Sequence, residues 1–160
     1  MKLNLKQYLE ILGGFAIVAS LIFVALELRQ NTQATLSASY QATTDALNEI
    51  NLVAATDPEL IRLFGARPGS FYDLSAEDKV RWGQFLLALT RVRETLYYQQ
   101  GVGTTAMQSW LREEESLRNN MRSQLNREWW EFAKSIFGFA PEFRDYVDSV
   151  VAEYEAANGT

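Results

Sequence analysis

Residues 11–26 read ILGGFAIVASLIFVAL, sixteen positions without a charge between Glu10 and Glu27. Ten of the sixteen are Leu, Ile, Val or Phe, together contributing roughly −3 to −6 kcal/mol on a membrane-insertion scale. As a helix the stretch from Glu10 to Glu27 covers about 25 Å, slightly short of a ~30 Å hydrocarbon core. Lys6 and Tyr8 on one side and Arg29 on the other are placed to reach the two interfaces. The apolar residues run all the way round the helix with no polar stripe, which suits lipid better than the core of a soluble domain. A secretory leader would need a small-residue cleavage site, and Val18-Ala19-Ser20 is a tolerable one, but apolar residues continue past it. Residues 1–29 are therefore expected to form a single-pass membrane anchor. Lys2 and Lys6 precede the span and Arg29 alone follows it closely, so the positive-inside rule puts the N-terminus in the cytoplasm by a margin of one charge.

Working outward from this segment, no proline occurs before Pro58, and Gly13 and Gly14 are the only glycines before Gly65. Nothing interrupts a helix from about Leu5 to Ala55, roughly 75 Å long. Beyond Arg29, Leu36, Tyr40, Thr43, Leu47, Ile50 and Ala54 recur at alternating spacings of four and three, a heptad-like stripe on an otherwise polar helix. Thr56-Asp57-Pro58-Glu59 is a helix start, and the short helix it opens is expected to end near Gly65. In the following loop, 65–74, Phe71 and Leu74 are expected to turn inward. Ser75-Ala76-Glu77-Asp78 resembles a capping box and opens a helix with Val80, Trp82, Phe85, Leu86, Leu89, Val92 and Leu96 on its apolar face, closing at Gly101. A helix from Thr104 or Thr105 would bury Met107, Trp110, Leu111, Leu117 and Met121. Another covers about Asn126–Phe137, and Ala140-Pro141-Glu142 starts the last. The predicted fold is all-α: a long N-terminal transmembrane-plus-stalk helix, followed by a small bundle of four to five helices. Residues 30–160 form a helical domain continuous with the anchor.

Composition narrows the chemistry. The chain has 160 residues, no cysteine and no histidine, which removes disulfides, thiolate metal sites, the commonest general base and the usual pH switch. Taking Lys2, Lys6, Arg29, Glu10 and Glu27 from 15 basic and 20 acidic residues leaves 12 and 18 in residues 30–160, a net of −6. Such a surface disfavours nucleic acid, which is bound by clustered Lys and Arg. Glu113-Glu114-Glu115 is the densest carboxylate run, but three consecutive helix residues fan over about 200° and are expected to form a solvated face. Tyr97-Tyr98 and Trp129-Trp130 are expected to place one ring of each pair inside and the other near the rim. No arrangement marks a nucleophile, and Gly101-Val102-Gly103 lacks the strand and third glycine of a nucleotide loop. No catalytic, cofactor-binding or metal-ligating residue is nominated.

Several strings taken together resemble a family: Glu27-Leu28-Arg29-Gln30-Asn31-Thr32, Thr56-Asp57-Pro58-Glu59-Leu60, Glu94-Thr95-Leu96-Tyr97-Tyr98-Gln99, Trp129-Trp130 and Pro141-Glu142-Phe143-Arg144. In this order they resemble an uncharacterised family of small bacterial proteins with one N-terminal membrane helix and a helical domain. The resemblance covers roughly residues 11–150 and implies a bacterial inner-membrane location. The family has no established activity, so no functional residue carries over. Two features depart from it. Members often lack lysines before the span and carry more arginine after it, which would reverse the orientation above. Members also often have Ser where Ala140 stands, so a helix cap is lost here.

The functional expectation is a non-enzymatic, membrane-anchored accessory subunit, scaffold or self-assembling component. Its expected partners are the lipid bilayer and either a second copy of the chain or a membrane complex. Small residues let membrane helices approach closely, and Gly13, Ala16 and Ser20 share one face of the span. Together with Leu36, Tyr40, Leu47 and Ile50 they are the candidate helix-association residues. The alternative is a membrane-tethered module binding an apolar small molecule or lipid in the aromatic-rich bundle.

Overall fold

The computed structural model describes residues 5–159; Lys2, used above, lies outside them. It contains six α-helices and one 3₁₀ turn, and no strand occurs among the described residues. The all-α expectation therefore holds, with one long helix followed by a bundle of five. Backbone packing divides the chain after Ser39, ten residues beyond the boundary drawn from charge and hydropathy.

Helix α1 (Leu5–Thr56) is unbroken over 52 residues, as the absence of helix breakers requires. In the first unit its apolar side chains find no cover. Leu12, Phe15, Leu21 and Phe23 are 65–73% exposed, and none of the most apolar window is buried by the chain. The helix is long and apolar enough to cross a membrane.

In the second unit, α2 (Pro58–Ala66) begins as read. Asp57 accepts hydrogen bonds from the backbone N–H groups of Glu59 and Leu60 at 2.8 and 3.0 Å. Those bonds, first that of Leu60, and the Arg81 guanidinium at 3.0 Å hold the Asp57 carboxyl below its ordinary value. The helix ends one residue past Gly65, and Arg67 takes the left-handed conformation (φ 47°) that a glycine would adopt at lower cost. Phe71 and Leu74 are buried in the loop as expected. Ser75 caps α3 (Ala76–Gln99) by accepting from the Asp78 N–H at 3.1 Å. Gly101 does not terminate this helix; it lies inside a 3₁₀ turn, Gln100–Val102, that leads through an extended Gly103 into α4 (Thr104–Asn120).

Helix α5 (Gln124–Ile136) turns out to be wedged between α3 and α6 (Pro141–Asn158). Trp129 packs against Gly83 of α3, while the Trp130 indole donates to Asp148 of α6 at 2.7 Å and its ring meets Phe139 and Phe143. Both tryptophans are buried, which corrects the expectation of one at the rim. The same wedging fixes the buried face of α5 on Leu125, Trp129, Trp130 and Ala133, leaving Phe132 and Ile136 half exposed.

The end of α5 and the start of α6 are secured by α3. Arg91 donates to the Phe137 carbonyl and stacks over Phe139 at 4.4 Å, supplying a cation to the last turn of α5. Ala140 offers no side-chain cap to α6, and the Glu94 carboxylate accepts from its N–H at 2.8 Å instead. Two substitutions should therefore move stability in opposite directions. Ser75→Ala should cost about 1 kcal/mol, and Ala140→Ser should add about 0.5–1 kcal/mol by restoring a capping oxygen. Chemical denaturation of the full chain in micelles, followed by tryptophan fluorescence, would show both signs.

Candidate functional site

The candidate association residues divide between the two units. Gly13, Ala16 and Ser20 lie on the exposed helix of the first, at spacings that put them on one face. A Cβ at Gly13 would meet nothing within 4 Å, and the Ser20 hydroxyl donates to the Ala16 carbonyl at 2.8 Å, so it leaves no unsatisfied donor on that face. Leu36, also in the first unit, is half-buried. In the second unit Leu47 and Ile50 are half-buried and Tyr40 is exposed. Half-burial of the stripe at Leu47 and Ile50 reduces what it can offer a partner outside the chain.

The densest polar constellation was not anticipated from the sequence. Arg93 is 2% exposed, one of the largest fully buried side chains in the protein. Its Nε donates to Glu113 at 3.3 Å and its Nη2 to the Ser116 hydroxyl at 2.9 Å. With its amide turned so that the oxygen faces the guanidinium, Asn120 accepts at 3.2 and 3.1 Å. Burial pushes the Arg93 guanidinium below its ordinary value, and the Glu113 carboxylate pulls it back. The next residue, Glu114, accepts from Arg118 at 3.2 Å and from the Tyr146 hydroxyl at 2.7 Å. Burial first, then the Glu114 carboxylate, raise the Tyr146 phenol well above its ordinary range.

These partners overturn the solvated-face reading of Glu113 and Glu114; only Glu115 is exposed. The cause is the register of α4. Trp110, Leu117 and Met121 are buried, and the helix face they define also carries Glu113 and Glu114 toward α3 and α6. That register leaves Met107 and Leu111, expected inside, 40% and 54% exposed. A sequence signal for Arg93 did exist: it sits three residues after Thr90 and three before Leu96, within the apolar face of α3, where Val80 stands clear at 64% exposure.

This network ties α3, α4 and α6 together, and each carboxylate in it already has a cationic or hydroxyl partner. Among the described residues no group of three Asp, Glu, His or Cys side chains converges as metal ligands do. Aromatic rings pack closely in the interior: Tyr97, Trp110 and Tyr146 have ring centroids 5.3 Å apart, and Tyr97 meets Phe143 at 5.6 Å. Tyr98 faces outward and donates to Glu142 at 3.0 Å, so this pair does split between inside and rim. No family model, curated protein or solved structure matches the chain, so the reading of its function rests on its own residues.

Leaving Arg93 charged and unpaired would cost more than removing the pair altogether. Glu113→Ala should destabilise the protein by about 3 kcal/mol, whereas Arg93→Met combined with Glu113→Leu should lose less than that single change. Urea titrations of the three proteins would rank them.

Proposed function

We propose that the chain is a single-pass protein of a bacterial inner membrane, and that it works as a non-enzymatic accessory subunit, scaffold or self-assembling component. The observation that carries this reading is the uncovered helix. Ten of the sixteen residues from Ile11 to Leu26 are large and apolar, and none of them is buried by the chain. Left in water, they would forgo on the order of 10–20 kcal/mol of burial free energy. A bilayer supplies that burial. The resemblance to small membrane-anchored bacterial proteins agrees with it.

An interaction role is supported by what the ionisable side chains of the second unit do. Arg62, Arg81, Arg93, Arg118 and Lys134 each pair with carboxylates, and these pairs bridge helices. The acidic surface points away from nucleic acid and from anionic lipid as a partner of the second unit. Within the bilayer, apolar burial gives helices no reason to associate, and close packing of small residues does. The Gly13, Ala16, Ser20 face offers that packing to a second copy or to another membrane helix.

Carbonate-washed membranes should retain the full-length chain, while a chain beginning at Gln30 should be recovered in the soluble fraction. Release of the full-length protein by the wash would end the membrane reading. Ala16→Leu with Ser20→Leu keeps the span apolar but fills the close-approach face. Crosslinked oligomers or copurifying partners should then fall well below wild-type yield; survival at wild-type yield would leave the span as an anchor only.

A further inference from the structure

The second unit carries an apolar surface that its own core does not use. Between the 65–74 loop, one side of α3 and the outer side of α5 lies a groove of about 310 Å³, a size at the lower end of small-molecule sites. Phe71, Val80, Phe132 and Phe137 are among its walls. Val80 and Phe132 remain 64% and 43% exposed, although other residues of the same two helices are fully buried.

Two of the lining residues carry hydrogen-bond donors with capacity left over, one of them buried. Trp82 and Trp130 each donate their indole N–H to a side-chain oxygen, of Asn126 and Asp148. The Trp129 N–H has no partner, although Trp129 is 1% exposed. Gly83 packs against it within the lining: a Cβ there would stand 3.3 Å from the indole nitrogen, so the glycine keeps a side chain off this edge. The second donor is Lys79, the one charged side chain in the lining. Its ammonium donates to the Tyr72 carbonyl at 2.7 Å, which holds it at the groove with two N–H bonds to spare, and it forms no ion pair among the described residues. The nearby Glu128 carboxylate is committed elsewhere, accepting from the Ser70 hydroxyl, the Phe71 N–H and Gln124. Apolar walls call for hydrocarbon, and an ammonium held in the lining with N–H bonds to spare calls for an anionic acceptor.

We infer that this groove binds a small amphipathic carboxylate, its hydrocarbon tail against Val80 and Phe132 and its carboxylate paired with Lys79. This site is independent of membrane anchoring and of association through α1.

The test uses the full chain in lipid nanodiscs with ¹⁵N-labelled tryptophan indoles, the Trp129 signal being assigned from the Trp129→Phe spectrum. Sodium octanoate is the probe and 1-octanol its uncharged counterpart. Octanoate should move the Trp129 resonance saturably while Trp110 and Trp130 hold still, and octanol should bind more weakly. Lys79→Gln should weaken octanoate about fivefold, the scale of a partly exposed charge pair, and leave octanol unchanged; the unmoved Trp110 and Trp130 signals report that the variant is folded. The inference is overturned by an unsaturable or absent shift, by equal movement of all the indoles, by octanol binding as tightly as octanoate, or by a Lys79→Gln protein that binds octanoate like wild type.

Discussion

The most apolar segment of this chain is one the chain does not bury. Folding ordinarily draws its main driving force from covering such surface, yet from Ile11 to Leu26 the side chains stand in the open on every side of α1. Two consequences follow. The segment is left for something outside the chain to cover, and the Tyr40–Thr160 unit must close its own core without it. The second requirement explains the aromatic density of the bundle. Trp129, Trp130 and Phe143 are at most 1% exposed, and each fills a volume that two or three smaller residues would otherwise have to supply.

Polar groups inside the bundle are organised in the same spirit. Arg93 is buried at the cost of desolvation, and Glu113, Ser116 and Asn120 converge to offset it. Arg91 and Glu94, on either side of Arg93 along the same helix, hold the end of α5 and the start of α6. Helix α3 thus positions its neighbours through directed bonds as well as packing. These roles engage Arg91, Arg93, Glu94 and Glu113 in holding the bundle together.

Helix order was legible in the sequence because local chemistry decides it. Asp57 and Ser75 cap as their positions require, and an absence of proline suffices to predict α1 to about Ala55, one residue short of its end. What escaped was set by tertiary register. Leu111 looks like a core residue by type, but the face of α4 is chosen by Trp110, Leu117 and the need of Glu113 to reach Arg93, so Leu111 is left outside. Trp129 and Trp130 are both inside because α5 has a neighbour on two sides, which spacing along one helix cannot reveal. Gly101 carried the usual mark of a helix end and was absorbed into a 3₁₀ turn. The small-residue face of the span was visible at once, since it depends only on helical spacing. Arg93 could have been found by asking why a charge interrupts an apolar face.

The central claim is that residues 11–26 reside in hydrocarbon. With no native cysteine, single cysteines can be introduced one at a time along α1 and spin-labelled without background. Collision of each label with oxygen, which enriches in lipid, and with a water-soluble nickel chelate would be measured in nanodiscs holding the full chain. The account predicts high oxygen and negligible nickel collision at Leu12, Phe15, Ile22 and Val24, with nickel access returning by Gln33. Nickel collision at Phe15 and Ile22 as high as at Gln33 would contradict it.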